Sequence, residues 1–142
     1  MIPKFRAWDK LGKEMHKVSA IDFSSKGARI IRLAEVHSNG KGEHKRWYST
    51  VELMQSTGLK DITSDEIYEG DIVKVLIKDE EPKITKDKIY TGIVVYRQGT
   101  FDVKVHENTY LGIIPQMYMS DGDCVFRILG NIYENPELLE DN

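Results

Sequence analysis

The clearest alternation of apolar and polar positions begins at residue 72 and has a period of two. In Ile72–Lys78 (IVKVLIK), Val73, Val75 and Ile77 share one side, while Lys74 and Lys78 lie on the other with Ile72 and Leu76. Phe101, Val103 and Val105 alternate with Asp102, Lys104 and His106, which predicts an inward apolar set and an outward polar set. A period of two is what a strand with one buried face requires. Ile89–Tyr96 (IYTGIVVY) and Phe126–Tyr133 (FRILGNIY) read as further strands, and Gly130 within the second marks a bulge or a close backbone approach. Arg97-Gln98-Gly99-Thr100 is a turn. Asn135-Pro136-Glu137-Leu138-Leu139 predicts a short terminal helix, with Asn135 as N-cap and Pro136 as first helical residue.

The alternation is weaker before residue 72. Phe5, Ala7 and Asp9 alternate with Lys4, Arg6 and Trp8, which predicts a short strand. Asp9–Lys13 reads as a hairpin turn in which Gly12 is available for a positive φ. Met15–Phe23 continues as strand, Ser24–Gly27 turns, and Ala28–Val36 is assigned to strand because Gly27 and the Ile30-Ile31 pair disfavour a helix. His37–Arg46 (HSNGKGEHKR) is a polar, glycine-containing loop, and Val51–Gln55 is a strand or a single helical turn. Gly70-Asp71 fits a turn into the strand at 72, with Asp71 bonding backbone ahead of it. Asp79–Lys88 is a charged connection broken by Pro82. The fold expected is mostly β. An N-terminal antiparallel layer over residues 1–65 would precede an SH3-like small β-barrel over 66–142 that ends in a short C-terminal helix.

Composition agrees with a packed protein and narrows its setting. Of 142 residues, 40% are hydrophobic and 30% charged, enough for a core. The longest apolar runs are a few residues, far short of the ~20 that cross a bilayer. The opening MIPKFRAWDK is charged and has no apolar stretch of the secretory kind. Cys124, the single cysteine, cannot form an internal disulfide. The expectation is a cytoplasmic protein without membrane contact. Charge is uneven: residues 1–50 carry 11 basic and 5 acidic side chains, and residues 51–142 carry 9 and 18. The halves are thus +6 and −9 within a chain of net −3. Such polarity can steer a polyanion to one end or one subunit onto another.

Three blocks of the sequence resemble those of the YopX family, small proteins of phages and bacterial prophages. KFRAWDK opens the chain; VELMQSTGLKD and IYEGDIVKV form the central block; FRILGNIYENPELL closes it. The blocks occur in family order and span nearly the whole chain. The HSNGKGEHKR and DEEPKITKDK stretches are where this chain departs in length. The resemblance implies phage or prophage origin and one integrated YopX-like domain as an alternative to two. It implies no catalytic residue, because the family brings no established activity.

The residues themselves do not assemble a recognisable catalytic motif. His37 and His44 flank a glycine-containing loop beside Glu43, but one cysteine cannot supply a structural zinc site. Asp121-Gly122-Asp123 lacks the distal Glu of a calcium loop, and Gly40-Lys41-Gly42 is too short for a phosphate loop. The expectation is a non-catalytic binding or assembly protein with no cofactor and no metal; a nucleic-acid-binding module built on the basic N-terminal half and an uncharacterised enzyme are the alternatives. A binding surface is better supported: Lys4, Arg6, Trp8, Lys41, Lys45, Arg46 and Trp47 combine cations with two indoles in the basic half. Basic strands with exposed aromatics hold single-stranded nucleic acid by phosphate contact and stacking. The chain pI of about 5.8 and the acidic remainder argue against a dedicated binder. A homo-oligomer is expected as well, with nucleic acid or a host protein as the alternative partner.

Overall fold

The computed structural model describes residues 4–34, 45–77, 88–107, 109–112 and 124–140. Among these it forms eleven strands and two 3-10 turns, with no α-helix. The chain divides into two compact units, Met1–Ser56 and Thr57–Asn142. That division falls inside a strand, nine residues ahead of the 65/66 position suggested by the sequence pattern.

The first unit is an antiparallel sheet of β1 (Phe5–Asp9), β2 (Glu14–Ser24), β3 (Gly27–Leu33), β4 (Lys45–Trp47) and the first part of β5 (Val51–Lys60), in the order β4-β3-β2-β1-β5. Strands β4 and β5 lie at opposite edges, yet only the 3-10 turn Tyr48–Thr50 separates them in sequence. A flat sheet would hold those edges ~19 Å apart, at about 4.8 Å per strand interval. The four steps from Trp47 to Val51 reach at most ~14 Å even when fully extended. The sheet is therefore curled. Ala7, Ile31, Leu33 and Val51 are buried in its core, with Val18, Ile21 and Leu53 packed against them. Val18 and Ile21 are three positions apart on β2 and still share the core face, because the register shifts between Val18–Leu33 and Ala20–Arg32. The extra residue of that bulge, Ser19, resets the alternation.

In the second unit the far part of β5 pairs with β6 (Glu66–Tyr68), where the Thr57 hydroxyl donates to the Ile67 carbonyl at 2.8 Å. Strands β7 (Asp71–Ile77), β8 (Lys88–Arg97), β9 (Thr100–His106), β10 (Thr109–Tyr110) and β11 (Cys124–Asn131) form an antiparallel sheet in the order β10-β9-β8-β7-β11. Val73, Val75, Val94, Val103 and Phe126 fill its core with Ile67; of these, Val73, Val75 and Val103 are the inward positions that the alternation predicted. The β8–β9 hairpin turns on Gln98 and Gly99 with φ of 51° and 82°, the two positive values that a type I′ turn demands. At Gly92 any side chain would meet the Lys104 carbonyl 2.5 Å away and the Val103 methyl at 2.7 Å.

Several expectations are refined. Among the described residues no pairing joins β10 to β11, so of the expected barrel the structure has an antiparallel sheet with two edges. The terminal helix is a single 3-10 turn, Pro136–Leu139. Asn135 precedes it without a side-chain capping bond and instead accepts the Asn131 N–H at 3.2 Å. Gly130 marks both the bulge and the close approach expected of it: the register shifts between Ile128 and Gly130, and a Cβ there would collide with the Asn135 amide. In the first hairpin the positive φ falls on Lys13 (55°), not on Gly12. Gly12 is needed for another reason, since a Cβ would lie 2.7 Å from the Asp9 carboxylate. Asp71 accepts the Tyr68 N–H at 2.8 Å around Gly70. Asp102, expected at the surface, is 5% exposed, because its Oδ1 takes the N–H groups of Val103 and Gly112, each at 2.7 Å. The loop residues His37–His44, the 78–87 connection, Asp121–Asp123 and the Cys124 thiol lie outside the described residues.

Candidate nucleic-acid interface

Strand register assigns the basic residues of the first unit to faces. Cross-strand partners project to the same side. Trp8 pairs with Met15, Arg6 with Lys17, Ala20 with Arg32, Arg32 with Lys45, and Ile30 with Trp47. One outer face therefore carries Arg6, Trp8, Lys17, Arg32, Lys45 and Trp47. It is open over β2 and β4, where Lys17, Lys45 and Trp47 are exposed, and closed toward β5, where Met54 is buried. Trp8 and Arg6 are half-buried. Trp47 is 56% exposed, and the Arg29 guanidinium stands 5.6 Å from the centroid of its ring. A cation over an indole face makes a flat, positively charged platform. Arg32 is neutralised on this face by Asp22, Nη2 to Oδ2 at 2.8 Å.

The opposite face is the core, and it takes Arg46. Arg46 pairs with Ile31, whose side chain is fully buried, and its Nε donates to Asp9 Oδ2 at 2.9 Å. Arg46 is thus removed from the candidate surface, because a buried carboxylate already uses its charge. Burial is the largest influence on Asp9 and favours its neutral form. The Arg46 hydrogen bond and charge, with the N–H groups of Gly12 and Leu11, outweigh it and hold the carboxyl below its ordinary 3.8. Lys4 is exposed just ahead of β1, and its carbonyl accepts the Ser56 N–H at 2.7 Å. Lys41 lies outside the described residues. Of the seven predicted residues, the sheet unites Arg6, Trp8, Lys45 and Trp47. It adds Lys17 and Arg29. Lys17 lies two residues after Met15 and so shares its outer face by alternation, whereas Arg29 reaches Trp47 from a bulge between the pairs Asp22–Ile30 and Phe23–Ala28.

Asp61, in the second unit, resembles Asp9 in environment but serves the backbone. Its Oδ1 accepts from Thr63 N–H (2.9 Å), Thr63 Oγ1 (2.7 Å) and Asp65 N–H (3.0 Å), and its Oδ2 from Ile128 N–H (2.9 Å). Burial, again the largest influence, raises its pKa; the Ile128, Thr63 and Asp65 donors outweigh it, so the net displacement is downward. Both displaced carboxylates are therefore occupied in holding structure. Among the described residues no three His, Cys, Asp or Glu side chains gather as a metal site, and no helix is long and apolar enough to cross a membrane.

The fold and this surface define a small antiparallel β protein of two units, one of them a curled sheet with a basic, indole-bearing outer face. The family model described as YopX protein matches residues 4–140, and the chain belongs to the YopX family. It is similar over 99% of its length to the crystal structure of protein EF1440 from Enterococcus faecalis, at 30% identity and TM-score 0.63, covering 99% of that chain. It is also similar to the crystal structure of YopX from Bacillus subtilis, at 22% identity and TM-score 0.56, over 96% of this chain and 98% of that one. No curated protein matches the chain.

Proposed function

We propose that this chain is a non-catalytic binding protein of phage or prophage origin that acts in the host cytoplasm by holding single-stranded nucleic acid on the outer face of its N-terminal sheet. The observation that carries the reading is the register that collects Arg6, Trp8, Lys17, Lys45 and Trp47 on one side. Cations meet the phosphates, and Trp47 under Arg29 offers a stacking surface for a base. The +6 charge of residues 1–50 steers a polyanion toward this end despite the acidic chain total. The C-terminal sheet is read as SH3-like, a reading supported by its close strand approach at Gly92 and its terminal 3-10 turn.

Titration of the protein's tryptophan fluorescence with oligo(dT) at low salt tests the proposal. Quenching that weakens with added salt is expected, and Trp47→Ala should remove most of it. A chain whose emission and mobility are unchanged by the oligonucleotide at low salt is not a nucleic-acid binder. Assembly is the second reading, favoured by the opposed charges of the two sequence halves. Light scattering at two salt concentrations checks it: a homo-oligomer that dissociates as salt rises is expected, and a monomer at both excludes it.

A further inference from the structure

Residues 51–142 sum to −9, yet the face of the C-terminal sheet turned away from its core is cationic. Lys74 on β7 pairs with Arg127 on β11 and Thr91 on β8, which sets Arg127, Lys74 and Thr91 in one row across three strands. The next row runs Ile72, Ile93, Lys104, Tyr110 across β7, β8, β9 and β10; it is covered at Ile72, which is fully buried, and half-exposed from Ile93 to Tyr110. His106 follows two residues after Lys104 on the same side of β9. Lys74, Arg127 and His106 are exposed and Lys104 is half-exposed. Asp102 shares this face of β9 with Lys104, but it is buried and its Oδ1 is taken by the Val103 and Gly112 N–H groups; Asp61 and Asp71 likewise hold backbone N–H groups away from the face.

A cleft of about 280 Å³ opens on this face. The β8–β9 ladder ends at Ile93–Lys104, and the cleft lies where the pairing stops. Thr91, Lys104 and His106 supply it with polar groups, Ile93 and Leu139 with apolar walls, and Glu107 is the one acidic side chain in its lining. At the β9–β10 end the Arg97 guanidinium sits 3.8 Å from the centre of the Tyr110 ring, beside Lys104.

We infer that this face is a second nucleic-acid surface, on which Arg127, Lys74 and Lys104 hold phosphates of a single strand and the cleft beside Lys104 and His106 seats an unstacked base. Charge complementarity selects the polyanion. The cleft selects a single strand, because its apolar walls take a group that a duplex keeps inside its stack. The Arg97–Tyr110 pair continues the row as a planar cationic platform. The inference stands on the C-terminal sheet alone and does not need the N-terminal face to bind.

The test measures fluorescence anisotropy of a labelled oligo(dT) across a salt series, with the full chain and two paired variants. Lys74→Gln/Arg127→Gln removes two cations from the C-terminal face, and Lys17→Gln/Lys45→Gln removes two from the N-terminal face. Each phosphate contact contributes ~0.7 to the slope of log affinity against log salt on a single strand, so the C-terminal pair should flatten that slope by about 1.4. Lys74→Arg/Arg127→Lys keeps the charge and should keep the slope, which separates charge from folding. A C-terminal Gln pair that binds like the parent overturns the inference; if the N-terminal pair then weakens binding, the proposal for that face survives. Loss of slope in the charge-preserving variant also overturns it, since the effect would then be structural. A parent chain that does not bind at low salt overturns both.

Discussion

Arg46 and Asp9 lie 37 positions apart in sequence and are joined by a 2.9 Å hydrogen bond on the core side of the curled sheet. Arg46 sits on the edge strand β4 and Asp9 ends β1, beside the opposite edge. The bond therefore latches the curl. Asp9 is almost fully buried, whereas about a third of the Arg46 side chain is exposed. Removing the cation strands a buried carboxylate, and breaking such pairs costs 3–5 kcal/mol when both partners are buried. Water can reach the Arg46 end, so Arg46→Met should cost less, ~1–3 kcal/mol, by urea unfolding. Adding Asp9→Asn to that variant should recover part of the loss. Equal stability of Arg46→Met and parent would show that the latch contributes nothing.

Acid should unlatch the same contacts. Asp9 and Asp61 both have their pKa lowered in the folded chain, so the unfolded chain binds protons first as pH falls. Their contribution is complete above the ordinary carboxyl value of 3.8 and is lost progressively below it. The melting temperature is expected to be flat with respect to these groups near neutrality and to drop steeply below about pH 4. Asp61→Asn should shrink that drop relative to parent, and an unchanged acid limb in the variant would remove Asp61 from the explanation.

How much of this was legible depends on where alternation is undisturbed. Val73, Val75 and Val103 were read into the core correctly because β7 and the inner part of β9 pair without a shift. Val18 and Ile21 could not be read as one face, since the bulge between them breaks the period and only pairing with β3 reveals it. The curl is equally invisible locally: it follows from the order β4-β3-β2-β1-β5 together with a three-residue connection. Arg46 illustrates the cost for the candidate surface. Its neighbours Lys45 and Trp47 face outward, and alternation alone puts Arg46 inward, but a lone arginine in a basic run reads as surface until its buried partner is known. Asp102 misled in the opposite direction, because a carboxylate in an outward position was needed by a distant N–H, that of Gly112.

The β8–β9 turn offers a stabilising change. Gln98 holds φ of 51° ahead of Gly99, a left-handed conformation that asparagine adopts far more readily than glutamine. Gln98→Asn would complete the Asn-Gly pair favoured in type I′ turns. A gain of ~0.5 kcal/mol in urea unfolding is expected, because the exposed Gln98 side chain has little to lose. A loss of stability would mean that the turn is not of this type.

Gly92 should tolerate nothing larger. A methyl there would meet a backbone carbonyl, Lys104 O at 2.5 Å, which cannot swing aside as a flexible side chain could. Gly92→Ala must push β8 from β9 at the point where their ladder ends and the cleft begins. Overpacking of this kind costs ~1–3 kcal/mol. The expected result is a lowered melting temperature with altered amide shifts at Lys104 and His106, and unperturbed shifts at both residues would show the approach to be looser than described.

Strand β11 is an edge of the C-terminal sheet, and the Asp61 loop covers it. Ile62 donates its N–H to the Phe126 carbonyl at 2.8 Å, and Asp61 Oδ2 accepts from the Ile128 N–H at 2.9 Å. The loop thereby satisfies outward-facing backbone groups that an uncovered edge would offer to another chain. The carboxylate does this while also holding Thr63 and Asp65, so Asp61→Ala releases several donors together. Each buried donor left without an acceptor costs ~1–3 kcal/mol, and partial access to water brings the expected total to ~2–4 kcal/mol. Asp61→Asn keeps acceptor capacity at one oxygen and should lose about half as much. The second consequence is specific to the edge: Asp61→Ala should self-associate in a concentration-dependent way at temperatures well below its own unfolding, detectable by light scattering. Destabilisation without association would mean that Asp61 shapes its loop but that the β11 edge is protected by other means.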